Sequence, residues 1–146
     1  MPAVALTFLA ATSLRSTASD QAPPLRTILT IYWSSESFPG TEALDAVIQQ
    51  GVQSHSERID YFAEYLESDR FPDEEATQAF EDYIRRKYHG RRIDVVIAVT
   101  DVALQFALRY RQDLFPDAPI VFAAVAGPEA SVRDAGPGVT GILSGP

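Results

Sequence analysis

Five consecutive apolar residues, Val95 to Val99, open the stretch "VVIAVTDVALQF". A strand with one wet face alternates polar and apolar residues. An unbroken, mostly β-branched run fits a strand covered on both faces, as in the middle of a parallel sheet. Parallel neighbours require crossover connections of a dozen or more residues, usually helices. The flanking sequence supplies them.

Residues 26–33, "RTILTIYW", are β-branched and aromatic and predict a first strand. Thr41 is placed to cap a helix in which Leu44, Val47, Ile48, Gly51 and Val52 recur with helical spacing, predicting one buried face. In residues 58–66, "RIDYFAEYL", Ile59, Tyr61, Ala63 and Tyr65 alternate with Asp60, Phe62 and Glu64, the pattern of a half-buried edge strand. Pro72 and Asp73 open a second helix, with Glu74 and Glu75 favouring its dipole. Ala76, Ala79, Phe80, Tyr83, Ile84 and Lys87/Tyr88 form its stripe, and "RRKYHG" closes it with cations and Gly90. The both-faces-apolar strand spans residues 92–99. A third helix then carries Ala103, Leu104, Ala107, Leu108 and Leu114 inward as far as "FPDAP". Residues 120–126, "IVFAAVA", and 139–143, "VTGIL", predict the fourth and fifth strands on either side of a turn-rich loop.

This order predicts an α/β fold: a three-layer α/β/α sandwich on a mostly parallel five-stranded sheet, with right-handed crossovers. The flavodoxin-like strand order 2-1-3-4-5 puts the weaker second strand at an edge and the third in the middle. The chain's 146 residues, 46% hydrophobic, suit one domain with a real core. Its net charge of −8 repels nucleic acid and anionic lipid, so neither is expected as a partner. The absence of Cys removes disulfides, thiolate catalysis and Cys-ligated metals. At the N-terminus, Ala3 to Ala11 form an apolar stretch too short to span a bilayer but suited to a signal-peptide core, with Ser16-Thr17-Ala18 as the cleavage site. The expected organisation is a signal peptide over 1–18, a leader over 19–25 and a single lobe over 26–146.

In such sheets ligands sit outside the C-terminal strand ends, near the switch in strand order. The loops to watch follow strands one to four: Trp33 to Ser37, Tyr65 to Ser68, Thr100-Asp101, and Ala124 to Pro128. Hydroxyls, a phenol, an indole and helix N-termini converge there, which suits a small polar or aromatic molecule. Asp101 is also placed to cap the third helix, a role compatible with ligand contact. Asp101 stands where a receiver domain carries its phospho-acceptor. That chemistry needs an acidic pair after strand one, a hydroxyl after strand four and a Lys after strand five. Here strand one leads into serines and a single Glu36, strand four ends in Ala123-Ala124, and Lys87, the one Lys, lies in a helix. Phosphate-loop, dinucleotide and nucleophile-elbow motifs are absent too, so no catalysis, cofactor or metal is expected. His55 and His89 fall near helix C-termini, away from the mouth. Glu64, Glu67 and Asp69 read as a solvated edge and loop, and the arginines around Lys87 as helix-end electrostatics.

The stretches "EYLESDRFPDEE" and "DYIRRKYHGRRIDVVIAVTDVALQFALRYRQDLFPDAPIVFAAV" resemble the first lobe of the ABC-transporter substrate-binding-like family of type 1 periplasmic binding folds. The nearer likeness is to the extracytoplasmic sensor regions of bacterial sensor histidine kinases, over roughly residues 26–143. The resemblance implies an exported, non-catalytic lobe that senses or captures a small molecule, amino-acid-like molecules among the family's ligands. It implies contacts from Ser34, Ser35, Tyr65, Thr100, Asp101 and Ala126. It also implies a second lobe and a membrane-bound kinase or transporter as partners. The sequence stops at "GILSGP", where the family continues into a second lobe, so the chain is expected to be a fragment that binds ligand weakly if at all. A cytoplasmic flavodoxin-like enzyme or regulator, or a module dimerising through the open cleft face, are the alternative readings.

Overall fold

The computed structural model describes residues 24–126 and 135–144. The proposed signal peptide and most of the loop between the fourth and fifth strands lie outside them. Nine elements follow one another: β1 (Arg26–Tyr32), α1 (Pro39–Gln53), β2 (Ile59–Tyr65), α2 (Glu74–Lys87), β3 (Val95–Val99), α3 (Thr100–Arg109), α4 (Arg111–Leu114), β4 (Ile120–Val125) and β5 (Val139–Leu143). All five strands are parallel, in the order β2-β1-β3-β4-β5. The fold is the three-layer α/β architecture, with β3 central and β2 at an edge as the sequence predicts.

Pairing puts Leu29, Ile31, Val96, Ala98, Ile120 and Phe122 on one face of the sheet, where they are buried. Helices α2 and α3 cover this face with Ile84, Tyr88, Ala103, Leu104, Phe106 and Ala107. Aromatic edges lock the layer: Phe80 meets Phe106 at 5.1 Å and Phe62 meets Tyr88 at 5.5 Å. The third helix breaks at Tyr110, so Leu114 reaches the core from the separate turn α4.

The other face behaves differently. Helix α1 lies over it near β2, but its buried residue is Thr41, while Val47 is 65% exposed. Thr41 is not the cap: the helix starts at Pro39, whose fixed φ suits a first turn, and Phe38 precedes it without a side-chain cap bond. A polar line, Thr41, Asp45 and Gln49, faces the sheet in place of part of the expected apolar stripe. Asp45 accepts from Tyr32 Oη at 2.9 Å, Tyr61 Oη at 2.5 Å and Gln49 Nε2 at 2.6 Å, fastening helix to sheet. Helix α2 follows expectation: Asp73 accepts from the Ala76 N–H at 2.8 Å, and Gly90 follows the helix with φ +74°.

Glu64 contradicts its reading as part of a solvated edge. It is 4% exposed, accepts from Tyr88 Oη at 2.5 Å and pairs with Lys87 Nζ at 2.6 Å. The strand's alternation places it on the face that α2 covers, so burial comes with one compensating cation and one neutral hydroxyl donor. The basic cluster is likewise spent locally: Arg85 on Glu81, Arg86 on Asp82, Arg91 on Asp60 and Arg92 on Asp94.

Candidate functional site

The C-terminal ends of the strands carry the chain's unusual backbone. Among the described residues, the non-glycine residues with positive φ are Glu67 at +50°, Thr100 at +77° and Ala124 at +54°. They follow β2, begin α3 directly after β3, and lie near the end of β4. Strands β2, β3 and β4 therefore carry, at or beside their C-terminal ends, left-handed backbone that L-residues rarely adopt; at Ala124 it accompanies a register shift against β5. Such strain gathers where surrounding structure holds a functional shape.

Thr100 is the sharpest case, because a β-branched residue tolerates this region least. Its cause is local: β3 ends at Val99 and α3 starts at Thr100, with no linker between. The chain must swing from strand to helix within one residue. The turn also sinks the hydroxyl: Thr100 Oγ1 is buried and meets no hydrogen-bond partner among the described groups. A buried polar atom without a partner costs free energy and calls for a reason.

Asp101 is not the cap expected of it. It is the second residue of α3, with Val99 at the cap position and no side-chain cap bond. Its Oδ2 instead accepts from the Ala126 N–H at 3.1 Å. The carboxylate still lies favourably at the positive end of the helix, but its hydrogen bond ties the end of β4 to the start of α3. Ala126 thus enters the mouth as scaffold, its N–H already occupied.

Ser34 is fully buried, and its Oγ donates to Asp69 Oδ2 at 3.2 Å. Nearby, the N–H and Oγ of Ser68 donate to the Trp33 carbonyl at 2.8 and 3.0 Å. The loops after β1 and β2 are zipped together, and Ser34 belongs to the zip rather than to the open surface. Ser35 and Tyr65 do reach open space. Ser35 lines a depression of about 500 Å³ with Glu36, Ser37, Glu42, Glu67 and Arg70. Tyr65 stacks on Tyr32 with ring centroids 5.5 Å apart and lines a cleft of about 350 Å³ with Glu36, Glu42 and Asp45. Glu36 and Glu42 border both hollows, so the two adjoin.

Comparisons with protein-family models, with curated proteins and with solved structures find no match. What the mouth can do follows from its own groups. Three carboxylates, Glu36, Glu42 and Asp45, surround a half-buried phenol. Burial first, then the charges of Asp45, Glu36 and Glu64, hold the Tyr65 phenol in its protonated form above its ordinary range. A negative potential focused in a cleft beside an aromatic face favours ligands bearing a cationic pole. Arg70 stands on the same rim, 3.9 Å from Glu67.

The strand-end rule locates this region, and Ser35 and Tyr65 lie where it predicts. It misses the contribution of α1: Glu42 and Asp45 project from a helix whose apolar spacing drew attention elsewhere. The available signal was the spacing of Thr41, Asp45 and Gln49, four residues apart and hence on one face.

Proposed function

We propose that this chain is an exported, non-catalytic ligand-binding lobe that holds a small polar molecule at the C-terminal ends of β1, β2 and β3. The observation that carries this reading is the acidic cleft beside the Tyr65 ring, with left-handed backbone at Glu67 and Thr100 at the same end of the sheet. Strained backbone lowers stability and is kept where it holds a binding shape. The acidic cleft beside Tyr65 favours a ligand with an ammonium group, and amino-acid-like molecules are the first to test. The mouth is shallow and open, and exposed Phe38, Phe71 and Val102 stand around it. These apolar side chains suit cover by a second lobe, in a sensor or transporter assembly. The described lobe by itself then offers one side of the contacts and binds weakly, with a dissociation constant on the order of 1 mM.

The test is an NMR titration of the chain with a panel of amino acids and related zwitterions. The expected result is shifts confined to amides of residues 33–38, 41–50, 65–68, 100–102 and 124–126. A panel that leaves those amides unmoved at about ten times that dissociation constant overturns the reading.

A further inference from the structure

The cleft beside Tyr65 is longer than a single amino acid needs. Its wall is Glu42, Asp45, Ala46, Gln49, Gln50 and Gln53, one face of α1 recurring every three or four residues. From Thr41, which also lines it, to Gln53 that face runs about 18 Å along the helix axis. A volume of about 350 Å³ spread over that length makes a narrow trough. It opens at the mouth, where Glu36 follows β1, and descends the flank of α1.

The chemistry changes along the trough. At the mouth end stand Glu36 and Glu42, whose carboxylates form no ion pair among the described residues. Asp45, next along the helix, already accepts from Tyr32, Tyr61 and Gln49, so it serves as scaffold. Beyond it the polar lining is uncharged. Gln49, Gln50 and Gln53 present carboxamides, which both donate and accept hydrogen bonds. The matching ligand has one cationic end followed by a thin, neutral chain with donors and acceptors at short intervals. A polyamine does not match, because its later ammonium groups would meet carboxamides instead of carboxylates. An extended peptide does. It advances about 3.3 Å per residue, so about five residues span the trough. That leaves about 70 Å³ for each, room only for the smallest side chains.

We propose that the trough takes the free N-terminal end of a short peptide of small residues, with its ammonium between Glu36 and Glu42 and its backbone amides along Gln49, Gln50 and Gln53. This rests on the mouth being a ligand site, and extends its ligand from a single zwitterion to a chain of about five residues.

The test is an NMR titration of the full chain with three probes: alanine, pentaalanine and N-acetyl-pentaalanine. Pentaalanine should shift amides of residues 41–53 as well as those of the mouth, and bind at least about tenfold tighter than alanine. Acetylation removes the cation and should cost at least about tenfold. Replacing Gln50 and Gln53 together with Ala changes two exposed helix positions to the best helix former, so circular dichroism should not change. The double variant should bind pentaalanine at least about threefold more weakly and alanine as the wild type does. If alanine shifts the mouth and pentaalanine binds no tighter, the peptide proposal is overturned while the mouth remains a ligand site. An acetylated peptide that binds as tightly as the free one overturns the proposal too, as does a double variant with wild-type affinity for pentaalanine. If none of the three probes moves any of these amides, both readings fall.

Discussion

Replacing Thr100 separates the two costs built into the turn from β3 to α3. A left-handed backbone costs an L-residue roughly 1–2 kcal/mol. A buried hydroxyl without a partner costs about 1–3 kcal/mol. Thr100 bears both, with φ +77° and an unpaired Oγ1. Thr100→Val removes the hydroxyl and keeps the branched shape and the strain, so it should raise stability by about 1 kcal/mol. Thr100→Gly removes strain and hydroxyl together. Against that stand the freedom glycine adds to the unfolded chain, about 0.5–1 kcal/mol, and two lost carbons, Cβ and Cγ2, about 1.6 kcal/mol. The net gain expected is about 1 kcal/mol, or roughly 3–5 °C in Tm. Urea denaturation of the three proteins at neutral pH measures it, read at constant m-value. Both variants should gain stability, and because Oγ1 is buried neither should abolish the ligand-induced shifts at residues 33–38 and 65–68. A Thr100→Gly protein less stable than wild type by about 1 kcal/mol or more would refute the strain argument.

Four further outcomes follow from the same structure. Burial and the Asp45 hydrogen bond push the Tyr61 phenol up to about 12, and burial raises Tyr32 and Tyr88 in the same direction. The native state therefore keeps protons that the unfolded chain releases near pH 10; stability is full below pH 10 and drains between there and about pH 12, as urea midpoints against pH should show. Lys87→Met leaves the buried Glu64 carboxylate with Tyr88 alone and should cost about 1–2 kcal/mol in denaturant titrations, Lys87 being partly exposed. Gly141→Ala forces a Cβ onto the Phe122 carbonyl and should cost about 2–3 kcal/mol, with faster exchange of β5 amides. Asp101→Asn keeps an acceptor for the Ala126 N–H and should stay within about 0.5 kcal/mol of wild type, whereas Asp101→Ala loses about 1 kcal/mol and frees the end of β4.

The sheet was legible because its signals are local and repeated. Val95 to Val99 form the central strand as read, although Val95 and Ile97 stay half-buried, and α2 carries the punctuation read for it, Asp73 and Gly90. What failed were inferences about which side of an element faces in. Val47 matches the apolar spacing of α1 yet is exposed, because α1 is fastened to β1 and β2 by a polar contact, Asp45 with Tyr32 and Tyr61. Glu64 looked like a solvated edge residue because its partners, Lys87 and Tyr88, are more than twenty residues away and meet it only when α2 folds back. Long-range compensation of a charge leaves no trace in a local window.

The mouth shows the same division. Strand ends were foreseeable from topology, so Ser35, Tyr65, Thr100 and Asp101 were placed at the right end of the sheet. Their roles were not foreseeable, since each depends on one atom's partner. Asp101 sits where a helix cap would be read, but the missing linker between β3 and α3 moves the cap position back to Val99 and leaves the carboxylate to reach Ala126. The same missing linker forces Thr100 into left-handed backbone and turns its hydroxyl inward. A sequence window shows a strand run followed by a helix run; it does not show that they share no residue between them. That abrupt join links the two anomalies. A loop of two or three residues would relax φ at Thr100, restore an ordinary cap and release the end of β4 together. The tight turn thus keeps the ends of β3 and β4 in one rigid arrangement, which a site made from strand ends requires.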